Sequence, residues 1–159
     1  MNRKTLRRAA AAVGMLGLLG AAVGASARAN GVPFHRSAAE LRAAVANAKD
    51  GLAVSALPTG QATVVMVRRE RTGEVELHMR QNDVFVAHDG RATVLIGQQV
   101  RGDRQVSPGE FRGGRMAGAK RYPMSPGDVL WIPAGLPHLV VVPARGAFDY
   151  VAFKYPSVR

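Results

Sequence analysis

Gly127-Asp128-Val129-Leu130-Trp131-Ile132-Pro133-Ala134-Gly135-Leu136-Pro137-His138 is the stretch that decides how this chain folds. Asp128 to Ile132 reads as a short β run, because branched, aliphatic and aromatic side chains suit a pleated, half-buried surface. Pro133 then withholds a ladder donor and Gly135 permits a sharp turn, so the chain must leave the sheet there. His138 opens the next β run, His138-Leu139-Val140-Val141-Val142. An imidazole delivered from a rigid turn has little conformational entropy left to lose, which suits a metal ligand or a proton donor.

Working outward from this corner, strand-like patterning recurs over residues 52–57, 61–69, 74–79, 83–88, 92–96, 116–123 and 148–155. Turn signals separate these runs, among them Thr72-Gly73, Asp89-Gly90 and Pro126-Gly127-Asp128. Many short strands at close spacing predict a sandwich or a barrel. Residues 98–118, rich in Gly and Arg, read as the one long irregular stretch. Ahead of the strands, Ser37-Ala38-Ala39-Glu40 has capping-box spacing, and Leu41, Ala44, Val45 and Ala48 follow at helical intervals until Asp50-Gly51. That pattern predicts one short helix.

Two segments together resemble the sequence motifs of the cupin superfamily. The second motif runs G-x5-P-x-G-x2-H-x3-N; Gly127, Pro133, Gly135 and His138 match it, and Val142 replaces the Asn. The first motif runs G-x5-H-x-H-x3,4-E-x6-G, and Gly90 matches its last position. His78 then stands as its second His, Asp83 replaces its Glu, Glu76 falls where the first His belongs, and Glu70 replaces the opening Gly. The resemblance implies an all-β fold, a cupin-type double-stranded β-helix (jelly-roll barrel) over residues 52–159, with the short N-terminal helix in the segment 30–51.

Alternation alone puts Glu74, Glu76, His78 and Arg80 on one strand face and Val75, Leu77 and Met79 on the other, with the polar face in water. The resemblance implies the reverse: the polar face lines the barrel lumen, Asp83, Phe85 and Ala87 face it from the next strand, and His138 lies opposite. It also implies a metal site of Glu76, His78, Asp83 and His138, two imidazoles and two carboxylates, suited to iron, manganese, zinc, nickel or copper. In that site His78 and His138 are the principal ligands, Asp83 a carboxylate ligand, and Glu76 a ligand or general base. Arg80 either anchors an anionic ligand near the barrel mouth or pairs with Glu76 or Asp83. Phe85 and Tyr150 are expected to line the ligand space; Tyr150 either donates to the ligand or satisfies a backbone carbonyl.

Residues 1–29 read as an export signal. Arg3, Lys4, Arg7 and Arg8 precede a mild apolar run, 9–27, and small residues place cleavage after Ala27 or Ala29. The alternative is an uncleaved membrane anchor. Cleavage leaves no stable membrane insertion and a periplasmic or secreted product by the Sec route, with Arg7-Arg8 raising the twin-arginine route beside it. Cleavage after Ala27 removes four basic and no acidic residues and takes the formal charge from +11 to +7. The remaining basic residues fall in expected turns and loops with no aromatic stacking series, which argues against nucleic-acid binding. The chain has no cysteine, so disulfides, thiolate metal sites and thiol nucleophiles are excluded.

The reading that follows is an exported, single-domain cupin holding a divalent metal and a small organic ligand, and, if an enzyme, a metal-dependent oxygenase or isomerase. The alternative is a metal-free small-molecule sensor or carrier. The resemblance further implies a homodimer joined through β-sheet edges.

Overall fold

The computed structural model describes residues 35–46 and 62–158. The expected export signal and the expected strand at 52–57 lie outside the described residues.

Helix α1, Ala38–Ala46, begins where the capping box predicts. Ser37 and Glu40 bond reciprocally: the Ser37 amide donates to Glu40 Oε2 at 2.8 Å and the Glu40 amide donates to Ser37 Oγ at 3.2 Å. Val45 and Leu41 of this helix pack on Met66 and Val151, outside the barrel core.

Among the described residues ten strands follow: β1 Thr63–Arg69, β2 Glu76–His78, β3 Gln81–Gly90, β4 Ala92–Ile96, β5 Gln99–Ser107, β6 Glu110–Ala117, β7 Lys120–Met124, β8 Val129–Ile132, β9 His138–Val141 and β10 Phe148–Pro156. They form two antiparallel sheets, a four-stranded one in the order β1-β10-β3-β8 and a six-stranded one in the order β5-β6-β2-β9-β4-β7. This is an all-β jelly-roll barrel. Alternation selects the inner rows, so Val65 and Val67, Phe85 and Ala87, and Phe148, Tyr150 and Ala152 meet Ala92, Val94, Met124, Ile132 and Val140 in one apolar core. The core fills one part of the lumen and the polar cluster described below the other.

Three expectations need correction. Residues 98–118 are not irregular: β5 and β6 pair as a long antiparallel ribbon, Gln99 opposite Ala117 through Ser107 opposite Glu110. Most of this ribbon stands in solvent, so neither face carries the apolar alternation that identifies a strand, and its glycines were read as loop residues. The expected strand 116–123 is two strands, β6 and β7, broken at Gly118 with φ 64°. The basic residues also lie largely on strands rather than loops: Arg68 and Arg69 on β1, Arg101 and Arg104 on β5, Arg112 and Arg115 on β6, and Lys120 and Arg121 on β7. No helix among the described residues is long and apolar enough to cross a membrane.

Candidate functional site

Cross-strand register assembles the polar cluster. Glu76 on β2 stands opposite His138 on β9 and opposite Arg112 on β6; His78 stands opposite Glu110; Asp83 on β3 stands opposite Lys154 on β10. Directly opposed residues on one face have neighbouring Cβ atoms, so four backbone pairings bring seven functional side chains together. The corner after β8 fixes the approach of His138. The Gly135 amide donates to the His78 carbonyl at 2.8 Å, and the Ala134 amide donates to Asn82 Oδ1 at 3.0 Å. The turn is thereby tied to both strands that carry the other site residues.

The two imidazoles are buried, at 3% exposure for His78 and 2% for His138. Their Nδ1 atoms are occupied elsewhere, by the Glu110 carboxylate for His78 and by the Leu136 carbonyl, 3.3 Å away, for His138. An Nδ1–H committed to an acceptor leaves Nε2 as the free lone pair, the tautomer that metal-ligating histidines use. Both Nε2 atoms point to the same place: His78 Nε2 is 3.6 Å from Glu76 Oε2 and 3.4 Å from Asp83 Oδ2, and His138 Nε2 is 3.5 Å from Asp83 Oδ2. His138 Nε2 is buried without a hydrogen-bond partner among the described residues. Burial, only partly offset by Glu76 and Asp83, pushes the His138 pKa down to about 4.

Glu76, His78 and His138 offer ligand atoms all within 4.8 Å of one another. A carboxylate with two imidazoles, one of whose lone pairs has no other use, fits a borderline divalent cation. Asp83, expected as a further ligand, is 1% exposed and accepts from Lys154 Nζ through both oxygens, at 2.7 and 2.9 Å. The same ammonium lies 3.0 Å from His78 Nε2.

Glu76 is held by two guanidinium groups, with Arg69 Nη2 at 2.5 Å and Arg112 Nη2 at 3.4 Å. Burial alone would raise its pKa, but the adjacent His78 imidazole and the cations around it, Arg69 foremost, hold it well below the usual carboxylate range. Arg69 also donates from Nε to the Tyr150 hydroxyl at 3.1 Å. Burial pushes Tyr150 up to about 12, against the opposing pull of Arg69, so the phenol stays neutral.

A cavity of about 430 Å³ opens beside the cluster. Val65, Val67, Phe85 and Ala152 give it an apolar wall, Glu76, Arg112 and Lys154 a charged one, and residues 68–74 its rim. Glu76 and Lys154 thus face the cavity, while His78, His138 and Asp83 are absent from its lining and sit behind them.

The structure therefore brings together Glu76, His78, Asp83 and His138, with Phe85 against His138 at a ring separation of 5.8 Å and Tyr150 beyond it, 4.8 Å from Phe85. Arg80 is not among them. It is exposed just past the end of β2, and the cations on Glu76 and Asp83 are Arg69, Arg112 and Lys154 instead. β2 ends at His78, so the alternation that would have carried Arg80 inward stops two residues before it. Among the described residues Tyr150 satisfies no backbone carbonyl; its hydroxyl accepts from Arg69. Sequence reasoning missed Arg69, Glu110, Arg112 and Lys154 as site residues. Lys154 was legible, since it continues the inner row Phe148, Tyr150, Ala152; Glu110 and Arg112 were hidden in the stretch read as irregular.

No family model matches this chain, and no curated protein sequence does. Solved structures resemble it distantly. Pac13, a Streptomyces protein described as a unique nucleoside dehydratase, is 16% identical over 68% of this chain and 70% of its own, with a TM-score of 0.48. A cupin protein from Bacteroides fragilis is 10% identical over 64% and 71%, at 0.46. The DMSP lyase DddQ from Ruegeria pomeroyi is 14% identical over 64% of this chain and 41% of its own, at 0.45.

Proposed function

We propose that this chain is an exported, single-domain cupin that binds a divalent metal through Glu76, His78 and His138 and a small organic ligand in the adjoining cavity. The observation that carries the reading is the pair of buried imidazoles, each anchored through Nδ1 and turning Nε2 toward the same point, with the lone pair of His138 Nε2 otherwise unused. A metal there supplies Lewis acidity or oxygen chemistry, which makes an oxygenase or an isomerase the reaction class in keeping with the site. The chain's own residues position the ligand: Phe85, Val65 and Val67 offer apolar contact, and Arg112 and the Arg69–Tyr150 pair offer polar contact at the mouth of the cluster. Glu76, held ionised by Arg69 and Arg112, is suited to coordinate a cation or to accept a proton from a bound ligand.

A second reading, a metal-free sensor or carrier, draws support from Lys154, whose ammonium already neutralises Asp83 and caps His78 Nε2. Elemental analysis of the mature protein, purified from the cell envelope without a histidine tag, separates the two. Stoichiometric iron, manganese, zinc, nickel or copper is expected; a protein that carries none and does not reload with any of them belongs to the second reading. The same preparation tests export, because its N-terminus should lie at Arg28 or Asn30.

A further inference from the structure

Resting on the metal-site reading, we infer that Lys154 is a built-in competitor for the metal, a tethered cation that must leave the cluster before a divalent ion enters. Among the described residues the cluster already matches three carboxylates, those of Glu76, Asp83 and Glu110, with three cations, Arg69, Arg112 and Lys154. A divalent ion added to that set leaves buried positive charge unless one cation departs. Lys154 is the one that can depart. Arg69 is fastened to both Glu76 and the Tyr150 hydroxyl, and Arg112 donates to the Phe111 carbonyl besides its carboxylates. Lys154 rides a flexible four-carbon stem on the cavity wall, 21% exposed, so its ammonium can withdraw into the open cavity.

The competition is local as well as electrostatic. Lys154 Nζ lies 3.0 Å from His78 Nε2 and 2.7 Å from Asp83 Oδ1. One lone pair on Nε2 cannot serve an ammonium and a metal together, and a carboxylate chelating the ammonium through both oxygens is not free to complete a coordination shell. Lys154 thereby sets the threshold concentration at which the site fills, and decides whether Asp83 counts as a ligand.

The test is Zn²⁺ alone, with affinity measured by chelator competition at fixed pH on the mature protein, its K154M variant and the neutral double variant D83N/K154M. K154M is expected to bind roughly tenfold more tightly or better, because the competitor is gone and Asp83 is freed; the double variant should fall between K154M and the parent. The gain must vanish when His138→Ala is added to K154M, which ties it to this site. Equal or weaker binding by a folded K154M overturns the inference while leaving the metal site standing if the parent binds. Binding by K154M where the parent has none supports the inference and removes the metal reading for the native chain. Absence of binding in both overturns the two together. Should K154M fail to fold because Asp83 is left unpaired, the double variant decides: affinity at or above the parent supports the competitor, and affinity below it overturns it.

Discussion

The β8–β9 corner and the β5–β6 ribbon reach the same cluster by opposite means. The corner delivers one imidazole from a turn whose amides are pinned to the His78 carbonyl and the Asn82 side chain, and leaves its Nε2 bare. The ribbon delivers Glu110 and Arg112 from a strand whose other residues largely face solvent, and these do not enter the metal set; they hold the groups that do. One region supplies a ligand with no alternative partner, the other supplies partners that orient and neutralise ligands. Losing the first should remove a function, whereas losing the second should detune it.

The largest effect therefore belongs to the imidazoles. His138→Ala and His78→Ala should each abolish tight metal binding, a loss of at least about a hundredfold, because a borderline metal loses one of only two nitrogen ligands. Chelator competition at fixed pH reads this directly. Parent-like binding by both variants would break the comparison at its root.

How much of this was legible follows the same divide. The corner could be read because Pro, Gly and His at fixed spacing each carry a backbone meaning, and the predicted run 128–132 contains the observed β8, Val129–Ile132. The register of β2 was legible only through the family resemblance, since alternation by itself sent Glu76 and His78 into water, whereas the structure buries His78 and half-buries Glu76. The ribbon was not legible, because a strand pair that leaves its faces in solvent has no apolar period, and its glycines imitate a loop. What was lost with it was Glu110, which holds His78 Nδ1, and Arg112, the second of the two cations on Glu76. Arg80 was given that role because it continues the face of Glu76 and His78 in sequence, but the strand ends before reaching it.

Acid should separate the regions next. His138 has its pKa pushed down to about 4 by burial, against 6.5 in the unfolded chain. Below pH 6.5 the unfolded state takes up the proton first, so this contribution is complete above that value and is lost as pH falls through 6.5 to about 4. The loss amounts to something on the order of 3 kcal/mol. Glu76 has the opposite charge type and a later window: its carboxyl is held low, so its contribution is present above 4.5 and is lost only at more acid pH. Urea midpoints of metal-stripped protein across this range should show the upper decline vanish in His138→Asn and persist in Arg112→Met. A single decline below pH 4.5 in the parent would contradict the buried neutral imidazole.

A smaller effect probes the ribbon as support. Glu110 accepts from His78 Nδ1, so Glu110→Gln keeps the shape and removes the charge that favours the ligating tautomer. Metal affinity should fall roughly tenfold, well short of His78→Ala. A loss as large as that of His78→Ala would mean the ribbon is part of the metal set after all.

The smallest effect compares one glycine from each region. Gly135 in the corner has φ 85° and Gly102 in β5, at the edge of its sheet, has φ 76°; a Cβ on either meets nothing within 4 Å. Alanine at both positions thus adds backbone strain without a clash, and each substitution should cost about 1 kcal/mol in urea unfolding. Stability alone will not tell them apart. Metal affinity should, because Gly135 donates its amide to the His78 carbonyl and lies three residues before His138, so relaxing its strain shifts both imidazoles. Gly102 touches no site residue, and its strain relaxes into solvent. Gly135→Ala should weaken Zn²⁺ binding several-fold while Gly102→Ala leaves it unchanged; equal affinities would mean that the rigidity of the corner does not set the position of His138.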